Sequence, residues 1–288
     1  MIGFLKGLFI LLLAVAVFGG GGYYTYQLYI QPEIELQHEK ASPAKAPPPI
    51  QDPTVAEYQK CLQMEAAGDP LASRRSYVEF LDAYPDSTKA EEARYRLGAI
   101  QSALLLSPRA SPEKLAYIVK SGDVLNKLAN RLKTSPDLLL EINQLETVNL
   151  RVGQRLFYAE ANFSVTIERA AAKVTVRRDR DFFCQFPILA VQGNAWIGPQ
   201  KKSAGTPLSV KVQDKPSWKD GQRLGFGEKG YREATRWIVL QPAGHSLFEN
   251  DADGTPGAPK PPSGYGLDAE AVRVLSALLR KGDTVTIR

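Results

Sequence analysis

Apolar residues recur every three or four positions between Thr54 and Leu106, and every second position from Phe163 onward. A helix repeats its faces every 3.6 residues and a strand every two, so one kind of layer cannot satisfy both patterns. The chain must therefore be a multidomain α+β protein, helical first and sheet-forming later. Its 288 residues leave room for two or three compact units. A net charge of only +5, scattered along the chain, gives no basic patch and argues against a nucleic-acid partner.

After Lys6, the run GLFILLLAVAVFGGGGYYTYQLYIQP carries no charge until Glu33, about the length that crosses a bilayer as a helix. Tyr23, Tyr24, Tyr26 and Tyr29 gather at its far end, where amphipathic rings prefer the interface. Residues 1–32 are thus expected to form a transmembrane helix that partners the membrane and leaves the rest of the chain exported. A cleaved signal segment is the alternative, with Leu8 to Phe18 as its apolar stretch, although no small-x-small cleavage site follows. Residues 33–53, rich in Pro, Lys and Glu, read as an extended linker that contains His38. The two cysteines, Cys61 and Cys184, and the two histidines, His38 and His245, are too dispersed for a zinc site. No metal and no cofactor are expected.

Residues 54–108 carry three helical patterns, an α-helical hairpin region. The first stops at Gly68-Asp69-Pro70. The second places Leu71, Tyr77, Phe80, Leu81 and Tyr84 on one side, and the third Ala90, Ala93, Leu97, Ile100 and Leu104. Pro85-Asp86-Ser87 separates them, with Ser87 a natural N-cap. The wording FLDAYPDSTKAEEARYRLG resembles the tetratricopeptide-type repeats of envelope assembly proteins. Only about one and a half repeats are present, which implies a spacer or a small docking platform.

Residues 115–160 read as strand, helix, helix, strand. Tyr117 and Val119 alternate. Gly122-Asp123 turns into a helix bearing Leu125, Leu128, Ala129 and Leu132, and Ser135-Pro136 opens a second with Leu138, Leu139 and Ile142. Leu150 and Val152-Gly153-Gln154 lead into a strand with Leu156 and Tyr158. Tyr-x-Val-x-x-Gly-Asp at the start, Asn143 in the middle and Leu-x-x-Gly-Gln-x-Leu at the end resemble the lysin motif (LysM), a βααβ module. The resemblance implies recognition of a glycan containing N-acetylglucosamine, as in peptidoglycan; together with the N-terminal anchor this gives the expectation of an inner-membrane-anchored protein facing the periplasm and cell wall. The sugar would lie between two loops, Gly122 to Leu125 and Asn143 to Val148. The candidate glycan contacts are Gly122, Asp123, Val124, Leu125, Asn143, Gln144 and Leu145, with Leu125 or Leu145 offering apolar surface to an acetamido methyl. Val124 stands where Thr or Ser is usual.

From residue 162 to residue 288 the pattern is mostly β. FSVTIE, KVTVRRD, FFCQFPILAV, LSVKV, RWIVLQ and the terminal TVTIR read as strands, with one late helix burying Val272, Leu275, Leu278 and Leu279. The order of landmarks is similar to the L,D-transpeptidase catalytic domain, from the opening hairpin through RWIVL to the closing helix and strand. That family acts through a cysteine thiolate activated by His. Here Phe248 stands at one expected His position. The segment before the last helix ends in KPPSGYGL, a Pro/Gly loop in which Tyr265 replaces the nucleophile run, so both are degenerate catalytic positions. Tyr265 is a weak nucleophile without a base, and Cys184 lies mid-strand among Phe182, Phe183 and Phe186 as an inert small hydrophobe. No catalytic residue is expected. GFGEKG, residues 225–230, spells GxGxxG without the strand and helix of a dinucleotide site, and reads as an ordinary Gly-rich loop.

The sequence therefore predicts a tethered peptidoglycan-binding or scaffolding protein with an inactive transpeptidase-like domain and room for an envelope protein partner. The alternative is an active cell-wall-modifying enzyme with an atypical nucleophile.

Overall fold

The computed structural model describes residues 52–193, 195, 207–250, 260 and 262–288. The expected transmembrane or signal segment, and the linker up to residue 51, lie outside the described residues. Among the described residues no helix is long and apolar enough to cross a membrane.

Three helices come first: α1 (Thr54–Ala66), α2 (Pro70–Ala83) and α3 (Ala90–Leu106). Asp69 caps α2 by accepting from Leu71 N–H and Ala72 N–H at 2.9 and 3.1 Å, with Pro70 preset for the first turn. Ser87 accepts from Lys89 N–H at 3.1 Å just ahead of α3. The helices pack around Tyr58, Cys61, Tyr77, Phe80, Ala93 and Leu97. Leu71 and Tyr84, expected on that buried side, instead stand at its rim, 39% and 37% exposed. They sit in the first turn and at the cap of α2, where the helix runs past its neighbours.

The following module is β1 (Leu115–Ile118), α4 (Leu125–Arg131), α5 (Pro136–Ile142) and β2 (Arg155–Tyr158), with β1 and β2 antiparallel. Val119, Leu125, Leu128, Ala129, Leu139 and Leu156 make its small core. Ser135 caps α5 by accepting from Leu138 N–H at 2.8 Å.

The rest is a large curled sheet of β3 (Phe163–Glu168), β4 (Lys173–Arg178), β5 (Asp181–Pro187), β6 (Ala190–Gln192), β7 (Leu208–Asp214), β10 (Thr235–Gln241), β11 (Ser246–Glu249), β12 (Gly264–Leu267) and β13 (Thr284–Ile287), with helix α6 (Ala269–Leu278) packed on it. A short hairpin, β8 (Ser217–Lys219) and β9 (Gln222–Leu224), attaches at β10. The strand order is β5-β4-β3-β13-β7-β10-β11-β12-β6, so the terminal strand β13 lies parallel to β3 in the middle of the sheet. The stretch FFCQFPILAV divides into β5 and β6, which end up at opposite edges.

Two expectations change here. GYGL is not loop but the buried strand β12, parallel to β11 and antiparallel to β6. It escapes notice because two of its four residues are glycines, and Gly266 is required by contact: a Cβ there would lie 3.0 Å from the Phe248 ring. The last helix buries more than its expected stripe, since Ala271, Val274, Ser276 and Ala277 are also covered. Asp268 caps it by accepting from Ala271 N–H at 2.6 Å.

Residues Pro53–Arg288 form one compact unit, so the three segments are not beads on a string. Helix α3 lies against β5 so closely that a Cβ on Gly98 would sit 2.9 Å from Cys184 Cα. Glu91 of α3 accepts from Lys173 Nζ and Gln185 Nε2 of the sheet at 2.8 and 3.0 Å. Cys61 and Cys184 are both buried free thiols.

Candidate glycan-binding site

The seven candidate contacts divide by what their atoms already do. Gly122 holds φ +82° with nothing within 4 Å of a notional Cβ, so it is needed for the turn and leaves open backbone there. Asp123 is saturated. Its carboxylate accepts from Lys120 N–H at 2.8 Å, Tyr117 Oη at 2.9 Å and Arg131 Nη2 at 2.8 Å. These partners, the Lys120 amide foremost, hold its pKa below the usual carboxylate range. Asp123 ties β1 to α4 and has little capacity left for a sugar.

Asn143 is committed in the same way. Its Nδ2 donates to Leu139 O and Phe157 O at 2.8 and 2.7 Å, while its Oδ1 accepts from Phe157 N–H at 2.7 Å. It therefore pins the end of α5 to β2. Leu125 is fully buried in the module's core, so the apolar surface drawn for it on sequence grounds is not available. The helix period explains this: Leu125 opens α4 on the same face as Leu128 and Ala129.

What remains accessible is Val124, 53% exposed, with Gln144 and the half-buried Leu145. Gln144 adopts φ +50°, a left-handed bend that turns the chain out of α5 and exposes the loop behind it. That loop lines a groove of about 620 Å³ with Gln144, Leu145, Thr147, Asn149, Arg151 and Gln154. Amide, hydroxyl and guanidinium donors beside an apolar Leu suit the mixture of hydroxyl, acetamido oxygen and methyl that an N-acetylated sugar presents. Asn149, Arg151 and Gln154 lie beyond the loops expected from the sequence. The only available signal for them is the alternation of polar Thr147, Asn149 and Arg151 with apolar Val148, Leu150 and Val152 ahead of Gln154.

The module's other side is covered. Every residue of α5 from Asp137 to Ile142 is buried. Leu138 and Ile142 enter the core of the sheet. Asp137 receives Lys215 Nζ at 2.5 Å and Tyr231 Oη at 2.6 Å. Glu141 receives Arg236 Nη2 and Arg273 Nη1, each at 2.9 Å, and Arg232 lies 3.5 Å away. Ser135 Oγ donates to Ala277 O of α6. Burial and the Asp137 carboxylate push the Tyr231 phenol far above its ordinary pKa, which keeps it a donor. GFGEKG belongs to the same joint: Phe226 packs on the module's core, and a Cβ on Gly227 would fall 2.1 Å from Val148 Cγ1. Sequence periodicity read only the apolar side of α5. The basic partners of Asp137 and Glu141 are some 80 to 130 residues away, so no local pattern joins them.

In the sheet, Phe248 pairs with Gly266 and Tyr265 with Leu247. Paired residues share a face, so Phe248 and Tyr265 point to opposite sides. Both are buried. The Tyr265 ring stacks on His245 at 6.4 Å, inside the sheet's core cluster. His245 is half-buried, its pKa lowered by burial and then by Arg169, and its Nδ1 has no hydrogen-bond partner among the described residues. Ser246 Oγ is aimed elsewhere, accepting from Leu240 N–H at 3.4 Å. Burial pushes the Cys184 thiol up to about 12, so the thiolate needed for acyl transfer is essentially unpopulated at neutral pH.

In a comparison with known families, residues 117–157, which include this loop and its supporting core, match the LysM domain. A search of curated proteins finds no match for the chain. The match supports binding of a peptidoglycan-type glycan by this module.

Proposed function

We propose that the chain is a cell-envelope scaffold. It holds peptidoglycan through the LysM module, is tethered to the inner membrane by its N-terminal segment and faces the periplasm. The LysM match to residues 117–157, which contain most of a loop groove lined from Gln144 to Gln154, is the observation that carries this reading. Residues 54–108 act as a tetratricopeptide-like spacer or docking platform for an envelope partner. The L,D-transpeptidase-like segment serves as a non-catalytic base that fixes the module's orientation. Support for the last point comes from Cys184 and Tyr265, which are both fully buried and so out of a substrate's reach.

The full chain, kept in mild detergent, is expected to co-sediment with insoluble peptidoglycan and to be released by soluble N-acetylglucosamine oligomers. Recovery in the supernatant at all loadings refutes the binding claim. Incubation with tetrapeptide-bearing muropeptides should give no new cross-links by mass spectrometry. Cross-links that vanish on Tyr265→Phe or His245→Ala would establish the enzyme instead.

A further inference from the structure

Helix α2 carries two patterned faces. Its buried residues Ser73, Tyr77 and Phe80 are spaced 4-3 and turn toward α1 and α3. Leu71, Arg75, Val78 and Asp82 are spaced 4-3-4 and run two residues out of step, which is about 200° around the helix. All four are exposed, Leu71 and Val78 at 39% and 37%. A 4-3-4 spacing is the seam along which one helix packs against another.

The seam alternates apolar and charged positions, and its charges are open. Arg74, one residue away, is held by Glu113 at 3.3 Å. Arg75 and Asp82 form no ion pair among the described residues. Arg75 lies toward the start of α2 and Asp82 toward its end, about two turns apart. Two copies of α2 laid antiparallel about a twofold axis at Val78 and Glu79 would set each Arg75 opposite the other copy's Asp82. The contact is made twice, and the two Val78 side chains meet at the axis. A parallel pair would instead set Arg75 against Arg75 and Asp82 against Asp82. An unrelated partner must bring the complement to such a face, whereas this seam carries its own.

We propose that the outward face of α2 is the interface of an antiparallel homodimer, with Val78 at its centre and the Arg75–Asp82 pairs fixing direction and register. The helix has 14 residues, a length of about 21 Å, so the interface is small and the association concentration-dependent. Pairing places two LysM modules in one assembly, and glycan held by one raises the effective concentration for the other. That consequence rests on the glycan reading; the pairing does not.

Sedimentation velocity of the full chain in mild detergent, over a range of protein concentrations, is expected to show monomer passing into dimer. Arg75→Asp or Asp82→Arg alone turns two attractive pairs into two repulsive ones. Each should weaken dimerisation about fivefold or more, the effect of an exposed pair counted twice. The double variant Arg75→Asp/Asp82→Arg exchanges the partners and should restore the wild-type constant. Both positions are exposed, so the variants should melt close to the wild type. A thiol reports the register, because Cys61 and Cys184 are buried. On mild oxidation Val78→Cys should give an intermolecular disulfide. Arg75→Cys should not, since its two copies stand about 10 Å apart along the axis. A chain that stays monomeric at every concentration overturns the proposal and leaves the face to a different protein. So does a dimer indifferent to both single reversals, a double variant no better than the singles, or a disulfide through position 75 in place of 78. Loss of peptidoglycan co-sedimentation with dimerisation intact would overturn the glycan reading alone.

Discussion

Replacing Glu141 by alanine tests whether charge holds the module to the sheet. The carboxylate is 1% exposed and its main partner, Arg236, 3%. With Glu141 gone, Arg236 keeps, among the described residues, Tyr231 O at 3.0 Å and the Tyr231 ring at 4.6 Å. A buried cation left without its anion costs about 3–5 kcal/mol. For a unit the size of Pro53–Arg288 that corresponds to a fall in Tm of roughly 6–20 °C. Calorimetry should show one cooperative transition in both wild type and variant. The loss should hardly change between low and high salt, because buried pairs are poorly screened. A Glu141→Leu/Arg236→Leu double variant removes both charges and should recover most of the loss, since apolar replacement of a buried pair is often nearly neutral. A Glu141→Ala variant melting within about 2 °C of the wild type would refute the reasoning, as that falls below about 1 kcal/mol. A double variant no better than the single one would refute it too.

Gly98→Ala should destabilise by about 1–3 kcal/mol in denaturant unfolding, because its Cβ would press on the Cys184 backbone at 2.9 Å rather than on a movable side-chain tip. Val124→Thr should stabilise by about 0.5–2 kcal/mol, seen as a raised Tm. Val124 occupies the extended N-cap of α4 with no side-chain cap, and a hydroxyl there can accept from the first-turn amides. Lys114 donates to Ser107 O, Ser107 Oγ and Arg109 O, and burial lowers its pKa from 10.5 to about 8. Between those two pH values the unfolded chain keeps a proton that the folded chain has released. The contribution of Lys114 to stability therefore rises with pH from about 8 to 10.5. The stability difference between wild type and Lys114→Met should show that slope, and a difference that is flat with pH would contradict it.

The sequence by itself determined the succession of helices, βααβ module and sheet. It did so because each rests on a local period or on turn chemistry: Asp69-Pro70, read as a helix stop, and Ser135-Pro136, read as a helix start, are both N-caps in the structure. It also nominated two loops, Gly122 to Leu125 and Asn143 to Val148, as candidates for glycan contact. Tertiary structure alone decided which residues there remain free. Asp123 and Asn143 match the motif because they build it, and Leu125 because it fills the core. The strand β12 was hidden because glycines carry no periodicity and its partners, β11 and β6, lie outside local sequence. The joint was hidden for the same physical reason. Asp137 with Lys215, and Glu141 with Arg236 and Arg273, become neighbours only when the sheet closes on α5. No local pattern joins those charges, and only in three dimensions are they the clamp that sets the module's orientation.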